Sequence, residues 1–131
     1  MIKCHVVTPT GVYNDLETEI VNVGTIDGAR GILPNHMDIV MALDVSKMSL
    51  VKDGKRTYYA IGGGMLYFSK NVATILVDSI ESQEEIDLRR AEEAKERALA
   101  RIAKKDPNID LRRAELSLKK AMVRIDVKQT N

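Results

Sequence analysis

Val72-Ala-Thr-Ile-Leu-Val-Asp-Ser-Ile-Glu-Ser-Gln-Glu-Glu-Ile-Asp-Leu-Arg-Arg-Ala91 changes character half-way along its length. The first part is a β-branched run that fits a pleated, half-buried surface. The second opens a region of Ala, Glu, Lys, Arg and Leu without a glycine, which is strong helix composition. The chain therefore divides near Glu84, and an α+β protein is expected, with an all-β lobe over residues 1–84 and helices over residues 85–131.

Upstream of the break, short β-branched runs such as Glu19-Ile-Val-Asn-Val23 and Met48-Ser-Leu-Val51 are punctuated by Thr10-Gly11, Asp27-Gly28 and Asp53-Gly54, and all eight glycines lie there. Asp53-Gly54 separates two strand-like runs and predicts a two-residue hairpin. Strands this short and close together close into a sandwich or a barrel.

Downstream, Ser82 and Glu85 have capping-box spacing, with Glu84 and Asp87 placing negative charge where a helix start favours it, so a helix is predicted from near Glu84. Ala91, Ala94, Ala98 and Ile102 form its apolar stripe. Lys104-Lys105 suits its end, and Pro107 stops it. A second helix is predicted from Asn108 or Asp110, with Ala114, Leu118, Ala121, Met122 and Ile125 as its stripe. So short a link folds the two back as an antiparallel hairpin. Its alanine-rich seam buries little area, making the hairpin the part of the chain that opens most readily. Ile86-Asp-Leu-Arg-Arg-Ala91 recurs unchanged at Ile109-Asp-Leu-Arg-Arg-Ala114, which reads as helix-start chemistry used twice.

The formal net charge of +1 hides an asymmetry. Residues 1–84 hold 7 Lys and Arg against 10 Asp and Glu, and residues 85–131 hold 13 against 9. A basic tail on an acidic lobe points to an acidic partner for the tail. No run approaches the roughly 18 apolar residues of a membrane span. Met1-Ile2-Lys3-Cys4-His5 enters an apolar alternation directly rather than as a signal peptide, so a cytosolic setting is expected. Cys4 has no second thiol to pair with and reads as a small core residue.

The motifs point away from catalysis. His5 and His36 have no neighbouring Cys or His for a metal site, and no phosphate-loop signature with Gly-Lys-Ser or Gly-Lys-Thr is present. Gly62-Gly-Gly64 lies inside a strand pattern between Tyr58-Tyr-Ala-Ile61 and Met65-Leu-Tyr-Phe68, which predicts a bulge or a close backbone approach. Gly28-Ala-Arg-Gly-Ile-Leu-Pro-Asn-His36 leads to a loop in which His36 is either plain surface or a partner contact. The tail cations, Arg112, Arg113, Lys119, Lys120, Arg124 and Lys128 among them, carry no interleaved aromatics and alternate with Glu92, Glu93, Glu96 and Glu115. That mixture fits a docking face for an acidic protein helix better than a nucleic-acid face. A β-lobe adaptor whose basic hairpin binds RNA or a ribosomal surface is the second reading.

Taken in order, Val6-Val7-Thr8-Pro9, Gly31-Ile-Leu-Pro-Asn-His36 with Leu43 following, Gly63-Gly64, Val72-Ala-Thr-Ile-Leu-Val-Asp78 and Ile86-Asp-Leu-Arg-Arg-Ala91 resemble the epsilon subunit of bacterial-type F-type ATP synthases over essentially the whole chain. Asp38 stands where the family usually has proline, and Met65 where phenylalanine is common. The resemblance implies a β-sandwich that binds the gamma subunit and rests on the ring of c subunits, with the His36 loop near that ring. It implies a helical hairpin that is compact in one state and extended along gamma in the other. In the extended state Arg112, Arg113, Lys119 and Lys128 would meet the catalytic alpha and beta subunits. The subunit so implied is a non-catalytic rotor component that couples proton translocation to ATP synthesis and restrains ATP hydrolysis. It needs no metal and no cofactor, binds no nucleic acid, and is peripheral to the cytoplasmic face of the cell membrane. Some bacterial members also bind one regulatory ATP. By resemblance Ile86, Asp87, Arg90 and Ala91 on the first helix and Lys120 and Arg124 on the second would hold it. The family pattern has arginine where this chain has Lys120, a point charge without the planar fork suited to phosphate.

Overall fold

The computed structural model describes residues 1–131 as eight strands followed by two helices. The strands are β1 (Ile2–Thr8), β2 (Gly11–Thr18), β3 (Ile20–Thr25), β4 (Gly28–Ile32), β5 (Ile39–Lys52), β6 (Lys55–Ser69), β7 (Val72–Val77) and β8 (Ile80–Ser82), and the helices are α1 (Leu88–Lys104) and α2 (Leu111–Gln129). The strands hydrogen-bond in the order β2-β1-β7-β6-β5-β3-β4, with β8 also on β6. β1 and β7 are parallel, and the other pairs are antiparallel.

β5 and β6, 14 and 15 residues long, serve both layers of the sandwich. Their Ile39–Leu43 and Gly64–Phe68 halves continue into β7, β1 and β2, while the Val45–Lys52 and Lys55–Gly62 halves continue into β3, β4 and β8. The corner between the halves falls at the glycine triplet. Gly63 and Gly64 have φ of 93° and 151°. A Cβ on Gly64 would overlap the Leu76 carbonyl, with the carbonyl carbon 2.9 Å away, and one on Gly62 would press on Ser79. Gly62 N–H donates to Ser79 O at 2.9 Å and Asp78 N–H donates to Gly63 O at 3.0 Å. The triplet is thus a backbone crossing at a sheet corner, the close approach that its place inside a strand predicted. Alternating inward residues, among them Ile2, Cys4, Val6, Met48, Leu66, Phe68 and Ile75, close a core of 18 buried side chains between the layers.

Asp53 and Gly54, with φ of 53° and 76° between the paired Lys52 and Lys55, make the predicted hairpin turn. Lys70 and Asn71 make an equivalent two-residue turn, with φ of 50° and 62°, between the paired Ser69 and Val72.

The helical hairpin differs from expectation at its start. Ser82 and Glu85 do exchange capping-box hydrogen bonds, Glu85 N–H to Ser82 Oγ at 3.2 Å and Ser82 N–H to Glu85 Oε1 at 3.1 Å. They close one turn only, because the next residue, Ile86, is drawn into a buried cluster with Ala60 and Val127. The helix then begins at Leu88, with the Asp87 side chain accepting from Arg90 N–H at 3.2 Å. α2 repeats the device, Asp110 accepting from Arg113 N–H at 3.2 Å. The internal echo is therefore one N-cap used twice. α1 ends with Lys105 in the left-handed region, before Pro107 is reached. The fully buried helical residues are Ala91, Ala98, Ala114, Ala121 and Val127. Met122 is half exposed and lies off the expected stripe; half-buried Val123 packs toward the sandwich instead.

Candidate functional site

α2 is the helix that meets the sandwich, lying against β5 and β6, while α1 packs on α2. The apolar part of this dock is small: Ile86, Val127 and Ala60 are buried together, with Tyr58 and Val123 at their edge. Polar contacts surround it. Arg124 Nε stands 2.8 Å from Glu81 Oε1 and its Nη2 donates to Oε2 at 3.3 Å; the Nε–H points off the carboxylate, so the shorter contact is a charge pair and the longer one the hydrogen bond. Lys119 Nζ meets Asp44 Oδ2 at 2.6 Å, and Lys47 Nζ meets Asp126 Oδ2 at 3.3 Å. Lys128 Nζ donates to Gln83 O at 3.0 Å, and the Gln83 amide donates to Val127 O at 2.9 Å and to Thr130 O. At the hinge, Tyr13 O–H donates to the Glu85 carboxylate.

The ionisation of these groups follows from their partners. The Lys119 hydrogen bond, helped by its charge and by the Val45 N–H, holds the Asp44 carboxyl below its ordinary range. Glu85 is lowered in the same sense, first by the Tyr13 hydroxyl. Tyr13 is raised, chiefly by desolvation and then by donation to Glu85. Burial alone pushes the Cys4 thiol up to about 12, which leaves it protonated and inert.

Lys120 and Arg124 line one cleft of about 210 Å³ beneath α2, whose opposite wall includes Gly62, Ser79 and Glu81. Ile86, Asp87, Arg90 and Ala91 do not line it. Ile86 and Ala91 are buried, the Asp87 carboxylate is engaged as the α1 cap, and the Arg90 side chain is 81% exposed. Of the partner-contact candidates, Lys119 and Lys128 are engaged within the chain, while Arg112 and Arg113 sit exposed in the first turn of α2 and make no ion pair. Sequence reasoning missed Asp44, Glu81, Gln83 and Tyr13. Each lies 43 or more residues from its helical or hinge partner, beyond the reach of any periodicity.

His36 is half-buried, edge-on to Phe68 at 6.0 Å between ring centres, and its Nδ1 donates to Met37 O at 2.7 Å. The loop is pinned to the β6–β7 turn by a reciprocal pair, Asn35 N–H to Asn71 Oδ1 at 2.6 Å and Asn71 Nδ2 to Asn35 Oδ1 at 3.0 Å. This rigid loop displays Leu33 and Met37, which are 57% and 76% exposed. On the outer face of the adjoining layer, cross-strand register sets Val40 beside Tyr67 and Met65 beside Leu76, all four exposed. Together the four form one apolar patch on that sheet face. No helix is long and apolar enough to cross a membrane.

The family profile described as ATP synthase, Delta/Epsilon chain, beta-sandwich domain matches residues 1–83, and that of the long alpha-helix domain of the same chain matches residues 84–129. The chain belongs to the ATP synthase delta/epsilon family. It is 41% identical over 105 residues to the ATP synthase epsilon chain of Pediococcus pentosaceus, covering 79% of this chain and 76% of that one. It is 43% identical over 105 residues to the epsilon chain of Caldicellulosiruptor bescii, covering 80% and 77%. A chain in the Euglena gracilis mitochondrial ATP synthase, solved as OSCP, F1 and c-ring, has the same fold at a TM-score of 0.81 and 22% identity, over 92% of this chain and 77% of that one. One from the Tetrahymena thermophila central stalk and c-ring matches at 0.58 and 11%, over 97% and 92%. An epsilon chain is a structural and regulatory subunit, not a catalytic one.

Proposed function

We propose that this epsilon chain is a central-stalk subunit whose sandwich binds gamma and the c-ring and whose hairpin restrains ATP hydrolysis when it leaves the sandwich. The observation that carries the reading is the make-up of the dock. Burying Ile86 and Val127 contributes roughly 1.5–3 kcal/mol each, and the exposed Lys119–Asp44 and Lys47–Asp126 pairs about 0–1 kcal/mol each. Ordering the hairpin against the sandwich offsets part of that sum. A dock this small sits within reach of a competing surface that offers similar contacts, which is what a population switch requires. The same cations that hold the hairpin down, Lys119, Arg124 and Lys128, become available to acidic alpha and beta segments once it opens, together with Arg112 and Arg113. Charge complementarity then guides the exchange.

The apolar face built on Val40, Met65, Tyr67 and Leu76 supports the gamma contact, and the rigid loop carrying Leu33, His36 and Met37 supports the c-ring contact. Through such an assembly the subunit would lie peripherally at the cytoplasmic face of the cell membrane and take part in coupling proton flow to ATP synthesis. We further propose that ATP, held by Ile86, Asp87, Arg90, Ala91, Lys120 and Arg124, biases the hairpin toward the docked state. Arg124 must then exchange Glu81 for phosphate, and Arg90 must swing in from solvent. A tenfold shift in population needs about 1.4 kcal/mol of preference for the docked form.

Two measurements test this. Tyr67→Asp combined with Leu76→Asp, on an exposed face, is expected to abolish co-purification with gamma while leaving the fold intact; undiminished association contradicts the assignment of that face. Titration calorimetry with ATP is expected to give heat with the intact chain and none with Arg90→Ala combined with Arg124→Ala. Equal binding by both excludes the nucleotide site.

A further inference from the structure

On the outer face of the second layer lies a groove of about 380 Å³ lined by Asn22, Lys47, Ser49, Arg56 and Tyr58 among others, with Arg30 lining it from the edge strand β4, where its register partner is the core residue Val23. Three of the seven cations of residues 1–84 are in this one place, and no carboxylate lines it, although the same residues hold ten acids. Arg30 and Arg56 make no ion pair; Arg56 is held across the sheet by donation to Ser49 Oγ at 2.9 Å. Lys47 is shared, its Nζ bonded to Asp126 at 3.3 Å and lying 5.6 Å from the centre of the Tyr58 ring. Gly24 and Gly31, adjacent to Asn22 across β3 and β4, add no side chain to the floor. In that lining Asn22 Nδ2 is buried without an acceptor, while Oδ1 faces Gly31. An unspent buried donor is uncommon and calls for a partner.

Two guanidiniums without ion pairs, an ammonium shared with Asp126, a hydroxyl and a spare amide donor fit the chemistry of an oxyanion. We propose that this groove binds a phosphate-class oxyanion, between Arg30 and Arg56, at a place separate from the Lys120 and Arg124 cleft. Lys47 couples it to the hairpin, since an anion that draws Lys47 away competes with Asp126 for the same ammonium.

The test is a titration of the full-length chain with inorganic pyrophosphate, read by amide chemical shifts. Saturating shifts are expected at Asn22, Gly24, Gly31 and Ser49. At least tenfold weaker binding is expected in Arg30→Ala combined with Arg56→Ala, whose side chains are exposed so that the fold is retained. Lys3→Ala combined with Lys70→Ala removes the same charge elsewhere on the lobe and should leave binding unchanged. Lys120→Ala combined with Arg124→Ala should not weaken it. A parallel titration with ADP assigns the source: tenfold tighter binding than pyrophosphate at the same amides points to a nucleotide phosphate, equal binding to free phosphates. Shifts that do not saturate, or that fall equally in the Lys3 and Lys70 variant, mean an adventitious ion only and overturn the proposal. Loss in the Lys120 and Arg124 variant overturns it too, by moving the anion to the cleft under α2.

Discussion

Gly64 and Tyr13 show how single side chains, or their absence, set the frame. Any Cβ at Gly64 is driven into the Leu76 carbonyl from a backbone with φ of 151°, so Gly64→Ala is expected to cost roughly 3 kcal/mol or more, seen as a lower urea midpoint. Tyr13 and Glu85 clamp the hinge, and the clamp has a pH window. Glu85 is lowered from 4.5, so its contribution is complete above that value and lost as pH falls through the lower folded one. Tyr13 is raised from 10.0, so its contribution is complete below that value and lost as pH rises through the higher folded one. Between these limits the clamp does not vary with pH. Tyr13→Phe should reduce stability by about 1 kcal/mol at neutral pH and flatten both edges of a stability–pH curve. A profile unchanged from that of the parent chain would remove the hydrogen bond from the account.

The elements differ in how they are held. The sandwich core of 18 side chains draws on every strand from β1 to β8 except β2, whereas the hairpin is anchored by Ile86, Val127 and a rim of charges. Val127→Ala is expected to cost about 2 kcal/mol of docking, and hydrogen exchange should then accelerate in α2 but not in β6. Equal acceleration in both would mean that hairpin and sandwich open together. The same division explains what the sequence revealed. The strand-to-helix change near Glu84, the Asp53-Gly54 turn and the glycine crossing are local and were legible. The α1 start shifted to Leu88 because burial of Ile86, a tertiary event, interrupted a capping box that formed as expected. The Lys70-Asn71 turn carries no glycine and therefore no strong signal. Lys120 and Arg124 were legible as cations but not as cleft-forming, because Glu81 and Ser79 reach them only through the fold. Asp44 was invisible as a partner of Lys119 for the same reason, 75 residues away.

For the whole molecule, an acidic sandwich and a basic hairpin are joined at one hinge and docked through a few side chains. In the proposed switch the sandwich holds the chain in the stalk while the hairpin moves between the sandwich and the catalytic subunits. The core cluster lies within residues 2–80, so a chain ending at Glu84 keeps the sandwich core and loses only the hairpin. The direct measurement is ATP hydrolysis by an alpha, beta and gamma complex, with the full chain or the chain ending at Glu84 added in saturating amounts. Both are expected to bind the complex, and only the full chain to slow hydrolysis. Equal rates with both, or slowing by the shortened chain, would contradict the switch.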